Sequence, residues 1–357
     1  MSAALVVRLD QSGTVLWARS HGSRWHNQFD HVEVGSDGSI WVAGLAANGL
    51  HPTLPRRPDL TGAGDDERPI LGRLDENGSI RWVADQALPV RDLLYTPNGL
   101  LAATSSGDVL RFKAGREGAP DQVHDLALPT EEPAGVAIGA SGLGQLRLSM
   151  SGLWQLRSVR LADHWEAIVD RWSWGREAPV STSLGRVHSG SAFNFRLAIG
   201  EGDLMAMTSR RTRTNGSAVW YRVARTGGVV WQHDVSLGPF RKDDYSLEAA
   251  HLAVQRGRVL TLFTYGKTAE LHGVALTGGG ANSGGFVQGA SVLQLDLANG
   301  NAVQVDTIAD PCVAASLSGP GVSYQGFGAA PNRLVVPGDS RGCDSVRSVA
   351  FELLPAQ

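Results

Sequence analysis

LVVRLDQSGTVLW, Leu5 to Trp17, decides how this chain is read. Apolar and polar residues alternate up to Asp10-Gln11-Ser12-Gly13 and alternate again into Trp17, the pattern of two half-buried strands joined by a tight turn. The phrase returns at Ile70 to Trp82, ILGRLDENGSIRW, where Arg73-Leu74-Asp75, Gly78 and Trp82 stand for Arg8-Leu9-Asp10, Gly13 and Trp17. Looser copies run from Val219 to Trp231, VWYRVARTGGVVW, and from Val292 to Val303, VLQLDLANGNAV, with a degenerate one at Val159 to Trp165.

A second unit interleaves with the first. Phe29 to Gly44, FDHVEVGSDGSIWVAG, sets Val32, Val34, Ile40 and Val42 around the turn Ser36-Asp37-Gly38. Further copies lie at Arg91 to Thr104, Gly135 to Ser149, Arg196 to Thr208, His251 to Thr264 and Val322 to Gly338, and the copy from Gly135 turns at Ser141-Gly142. Two alternating hairpins per repeat make four short strands. The chain is therefore predicted to be all-β, a single β-propeller of four-stranded antiparallel blades over residues 1–357.

The phrases VVRLDQSGTVLWARSHG and FDHVEVGSDGSIWVAG resemble bacterial propeller repeats of the SBBP type, in which "vakLd..GnvlW...yG" leads into "D.a..iavDsdGniyvaG". The Gly-rich run Val274 to Leu295 is similar to the spacer that often joins such units, and the resemblance is clearest over residues 5–45, 70–104 and 218–296. A more distant likeness to quinoprotein repeats rests on the "LD.sG.vlW" phrase alone. The resemblance implies architecture and an extracytoplasmic setting (periplasmic, cell surface or secreted), including a place within a larger surface protein. Cys312 and Cys343 fall in the last repeat, either side of its hairpin. Paired, they would close a loop of about 30 residues and contribute roughly 3 to 4 kcal/mol on the chain-entropy model; the alternative is two buried free thiols.

Glycine, at 44 of 357 residues, exceeds the usual share of about 7 per cent, as many tight turns with positive φ require. No linker or charge run divides the chain, which argues for one closed domain. A net charge of -3 marks neither a nucleic-acid binder nor an acidic tail. Met1 to Ala4 is too short for a secretory signal, and no apolar run approaches the ~20 residues that span a bilayer.

With strands named A to D from the axis outward, the GSDGSIWVAG-type units are A–B hairpins and the VVRLDQSGTVLW-type units are C–D hairpins. The N-terminal hairpin would complete the blade begun at the C-terminus, where Ser345 to Leu353 adds one more strand, and that pairing would remove a free edge. Six blades are expected. The alternative is seven, with a degenerate blade in residues 105–134 or 174–195.

A–B and C–D turns fall on one face of such a molecule and D–A and B–C connections on the other. The first set reads as short. The second reads as long: Ser20 to Gln28, Ala46 to Pro69, Trp174 to Asn194, Ser209 to Ser217, Ser236 to Ser246, Lys267 to Ala290 and Gly338 to Asp344. Long loops on a rigid scaffold are where binding sites are built. This rim collects Arg24, Trp25, His26, Arg186, His188, Arg241, Asp243, Asp244 and Tyr245, and guanidinium forks beside aromatic rings suit carboxylate, sulfate or phosphate groups on a sugar or peptide. The competing reading, favoured for any single arginine, is a pair with a neighbouring aspartate.

Asp65 and Asp66, with Asp59 and Glu67 near them, could supply oxygen ligands to Ca2+, although their spacing matches no EF-hand loop and a solvated acidic loop is the simpler account. There is no His-Glu-x-x-His, Cys-x-x-Cys, Gly-x-Ser-x-Gly or phosphate-binding Gly-rich loop with Lys. No catalytic residue and no cofactor is assigned. The function expected is a non-enzymatic propeller that recognises a glycan or protein ligand through the long-loop face. The alternative is an enzyme, a glycan lyase or hydrolase or a quinoprotein, using His26, His188 and Tyr245 over the central channel.

Overall fold

The computed structural model describes residues 4–10, 14–21, 27–46, 68–86, 89–105, 108–113, 121–124, 145–161, 163–176, 178–187, 196–200, 203–211, 215–239, 248–265, 268–277, 289–308, 328–330, 333–338 and 347–352. Every regular element among them is a β-strand. The chain divides into two compact units, Met1–Glu131 with Leu146–Leu153, and Glu132–Gln145 with Trp154–Gln357.

In the first unit β1 (Ala4–Leu9) and β2 (Val15–His21) pair as a hairpin. β3 (Asn27–Val34), β4 (Ile40–Ala46), β5 (Arg68–Leu74) and β6 (Ile80–Asp85) form an antiparallel meander in chain order. β7 (Val90–Thr96), β8 (Gly99–Thr104), β9 (Val109–Phe112) and β10 (Asp121–His124) form another. The next sheet, β11 (Gln145–Ser149), β12 (Gly152–Arg160), β13 (Trp165–Ser173) and β14 (Val180–Val187), contains the boundary between the units.

In the second unit β15 (Arg196–Gly200), β16 (Asp203–Arg211), β17 (Asn215–Val223) and β18 (Val229–Pro239) repeat the meander. β19 (Glu248–Gln255) and β20 (Arg258–Tyr265) are followed by a small hairpin, β21 (Thr268–Leu271) and β22 (Val274–Thr277), before β23 (Gly289–Asp296) and β24 (Ala302–Ile308) complete that sheet. β25 (Gly328–Ala330), β26 (Arg333–Gly338) and β27 (Arg347–Glu352) make a three-stranded sheet.

The deciding phrase folds as the hairpin its pattern predicts. Arg8 faces Trp17 across the ladder, as Arg73 faces Trp82 and Arg222 faces Trp231, and the register shifts each time at the next residue. Such bulges sharpen the local twist where the strand enters its turn. In ILGRLDENGSIRW the turn is capped by Asp75, whose Oδ1 accepts the backbone N–H groups of Asn77 and Ser79 at 2.9 Å. Asp296 holds Ala298 and Asn299 in the same way. An aspartate recurs at this position because its short carboxylate reaches the amides two to four residues on.

Gly78 is closed to substitution on two counts. Its φ is 78°, and an added Cβ would stand 2.6 Å from Trp17 Cζ3. Gly78→Ala is expected to lower stability by about 1–2 kcal/mol. A urea midpoint equal to the parent's would show that the turn has room to move.

Sheets are stabilised by burial on both faces. Trp41 and Ala43 pack with Leu71 against Leu93, Leu100 and Phe112 of the next sheet, while Ile40, Val42 and Leu74 face Val6 and Trp17 of the first hairpin. β16 and β17 alternate in the same way: Leu204, Ala206, Val219 and Tyr221 join a core with Trp154 and Val169, and Met205, Met207, Ala218 and Trp220 join another with Phe263 and Leu293. A strand whose two faces meet different cores carries apolar residues at successive positions, as these do.

A repeated clasp, which the sequence reading missed, fastens neighbouring sheets within each unit. Arg8 Nη1 at 3.0 Å and Trp17 Nε1 at 2.9 Å both donate to the Glu76 carbonyl in the β5–β6 turn. Arg222 Nη1 at 3.1 Å and Trp231 Nε1 at 2.9 Å both donate to the Leu297 carbonyl in the β23–β24 turn. Arg171 donates to the Arg225 carbonyl in the β17–β18 turn, where Val180 takes the tryptophan's place over a glycine, Gly227. The signal lay in the sequence as the recurrent cross-strand Arg–Trp pair one repeat before a Gly-containing turn.

Some expectations are corrected among the described residues, and others reach beyond them. β11 and β12 turn at Met150-Ser151, and Ser141-Gly142, where the turn of the third A–B hairpin was expected, lie outside the described residues. Val159 to Trp165 holds the B–C connection from β12 to β13 and is not a C–D hairpin. Both stretches reserved for a seventh blade supply outer strands of sheets already counted, β9 and β10 in one and β14 in the other. β1–β2 and β25–β26–β27 are separate sheets, so the expected pairing of the chain's two ends is not among the ladders of the described residues.

Candidate functional site

Of the rim residues singled out from sequence, Arg186 lies among the described residues. Arg24, Trp25, His26, His188, Arg241, Asp243, Asp244 and Tyr245 lie outside them, as do Asp65, Asp66, Cys312 and Cys343. Two of the long connections are shorter than read. Trp174 to Asn194 contains β14, and Ser209 to Ser217 is mostly the ends of β16 and β17. Both stretches are polar enough to pass for loops, yet an outer strand with a solvated face needs few apolar residues.

Arg186 therefore stands on a strand, one residue from the end of β14 and opposite Glu166 on β13. Its guanidinium is 3.5 Å from Asp163 Oδ2, and both side chains are about 70% exposed. Asp163 Oδ1 is 2.6 Å from His164 Nδ1, and this bond holds the Asp163 carboxyl below its usual range. His164 Nε2 lies 3.9 Å from Glu166, which also accepts from Ser183. The result is a chain of polar groups along the sheet's connection edge. Arg186 is paired with a neighbouring aspartate, the simpler of the two readings, and an exposed, solvent-screened pair of this kind adds little stability and exchanges readily for a ligand's anion.

A second cluster lies on the first strands of the sheets. A bulge interrupts β3 between Phe29 and His31 and β7 between Val90 and Asp92, so His31 and Asp92 follow the kink at equivalent positions. Asp92 Oδ2 accepts the Leu148 N–H at 2.6 Å and Oδ1 accepts from Arg147 at 3.1 Å. Glu33 accepts the Tyr95 N–H at 2.9 Å, and in the second unit Gln145 accepts the Leu197 N–H at 2.8 Å. Each bond ties a side chain of one first strand to the backbone of the next. These carboxylates and this amide act as fasteners.

The electrostatics agree with that role. Burial raises the Asp92 carboxyl above its usual range, against the opposing pull of Arg147. It raises Glu33 as well, with the Tyr95 N–H and Asp92 as smaller opposing and reinforcing causes. His31 is lowered to about 3, first by burial and then by Arg147 and Arg91. Its imidazole is thus neutral at physiological pH and is not the imidazolium that serves as a general acid.

No protein-family model matches the chain, and no curated protein matches it. Among solved structures it is similar to BamB from Moraxella catarrhalis, at 12% identity and a TM-score of 0.40 over 97% of this chain and 91% of that one. It is similar to the Dos1 propeller at 11% identity and 0.43, over 92% and 78%. It is similar to the polysaccharide lyase Uly1 at 9% identity and 0.40, over 95% and 93%. The SBBP-type resemblance has no family match behind it and stands as an expectation from the quoted phrases.

Proposed function

We propose that the chain is a single six-bladed β-propeller, closed by its N- and C-terminal strands, and acts as a non-enzymatic extracytoplasmic binding module. Its ligand is an acidic glycan or a protein segment taken on the face of the B–C and D–A connections. The observation that supports this reading is the length of two B–C connections, set beside three others, β8–β9, β12–β13 and β16–β17, that span three or four residues. β3–β4, β5–β6, β7–β8 and β19–β20 are joined by tight turns, whereas β4 to β5 is bridged by residues 47–67 and β20 to β23 by residues 266–288 with an added hairpin. Short turns keep a scaffold rigid, and length on the opposite side gives recognition its variety. A Cys312–Cys343 disulfide belongs to the same reading.

Binding to an array of acidic and neutral glycans, at low and moderate salt, tests it, with the triple variant Arg24→Ala, Arg186→Ala, Arg241→Ala beside the parent. Selective binding of acidic glycans that weakens with salt and is lost in the triple variant is expected. Equal binding by parent and variant would remove the anion-recognising rim.

A further inference from the structure

Apart from both clusters, the second unit brings two histidines together at the hairpin inserted between β20 and β23. Leu271 is fully buried and anchors β21 in the core that contains Trp220 and Val235. The next two residues make the turn with left-handed backbone, His272 at φ 51° and Gly273 at φ 75°. Asparagine or glycine occupies such a turn position at lower cost, so an imidazole held there invites a side-chain explanation. That side chain sits against His233 of β18, with ring centres 6.0 Å apart and ring planes inclined by 50°.

His233 Nε2 is buried and has no hydrogen-bond partner among the described residues. A buried polar nitrogen without a partner is costly and calls for a reason. With metal–nitrogen bonds of about 2.0–2.1 Å and ring centres ~1.1 Å behind the nitrogens, two imidazoles on one ion have centres about 5.2 to 6.4 Å apart as the angle opens from tetrahedral to linear. The observed separation corresponds to a nitrogen–metal–nitrogen angle of about 140°, so seating a tetrahedral ion draws the exposed His272 ring somewhat closer to His233.

We propose that His233 and His272 form a two-histidine site for a borderline divalent transition-metal ion such as Cu2+ or Zn2+, clamping the β21–β22 hairpin onto β18. Imidazole is a preferred ligand of both ions, and water or an added anion fills the other positions. The site takes His272 from the β20–β23 connection of the face proposed above, and a metal titration reads it separately from glycan binding.

Cu2+ is the probe, because Trp220 lies beside the site with its ring centre 6.4 Å from that of His233 and a bound paramagnetic ion quenches its fluorescence. Titration of the full chain at pH 7.5 is compared with His272→Asn, which suits the left-handed turn, and with His233→Gln. Quenching in the parent, competed by Zn2+ and weakened at least tenfold in both variants, is expected, together with a two-nitrogen pattern in the Cu2+ electron paramagnetic resonance spectrum. Unchanged affinity in either variant, or no saturable quenching in the parent, would overturn the proposal.

Discussion

Asp92→Ala is expected to destabilise the first unit by about 3 kcal/mol, because it removes the carboxylate that accepts from both the Arg147 guanidinium and the Leu148 N–H. The Asp92 carboxylate is 14% exposed and Arg147 27%, so water reaches them only in part. The lost interaction also joins β7 to β11, and its removal loosens two sheets at once. Asp92→Asn keeps an acceptor for the Leu148 N–H and forfeits the charge, and a smaller loss is expected. Urea denaturation monitored by tryptophan fluorescence measures both. An alanine variant within about 1 kcal/mol of the parent would mean that the bond is incidental to the packing of Leu93 and Leu148.

The second large effect is a dependence on acid. His31 is neutral in the folded chain down to about pH 3, whereas an exposed histidine in the unfolded chain takes a proton near pH 6.5. The unfolded state then binds more protons throughout that window, so stability is full above it and falls as the pH drops. The loss amounts to about 2 kcal/mol at pH 5 and about 3 kcal/mol at pH 4. Asp92 works in the opposite sense, since burial raises its carboxyl and protonation at low pH favours the folded form. A His31→Gln variant is expected to flatten the fall between pH 7 and pH 4 by roughly these amounts. Parallel pH profiles for parent and variant would contradict the assignment.

The fold was legible where one local pattern carried the information. LVVRLDQSGTVLW and ILGRLDENGSIRW show alternation, a capping aspartate and a turn glycine within thirteen residues, and both form the hairpin they predict. Legibility failed where two turns competed. Ser141-Gly142 and Ser151-Gly152 look alike in sequence, and the described turn lies before Gly152, flanked by Leu146, Leu148, Leu153 and Trp154, all buried. It failed again for β14, whose pattern is mostly exposed, because an outer strand is paid for by its ladder and one apolar edge. The fasteners Glu33, Asp92 and Gln145 were out of reach for another reason. Each bonds an amide more than fifty residues away, and the three do not share one position in the repeat.

The site was legible only as a face. Unequal connections pointed to the B–C and D–A side, and Arg186 does sit at that edge of its sheet, yet its pairing with Asp163 could not be read from residues some twenty positions apart. His272 was likewise hidden, in the connection read as Lys267 to Ala290 and just before its Gly-rich run. Its importance depends on the left-handed turn that sets it against β18.

Scanning calorimetry of the whole chain tests the central claim, a single closed propeller, most directly. The account predicts one transition with equal calorimetric and van't Hoff enthalpies, since clasped blades in a ring unfold together. Two resolved transitions, one for Met1–Glu131 with Leu146–Leu153 and one for the remainder, would contradict it and leave two independent stacks of sheets.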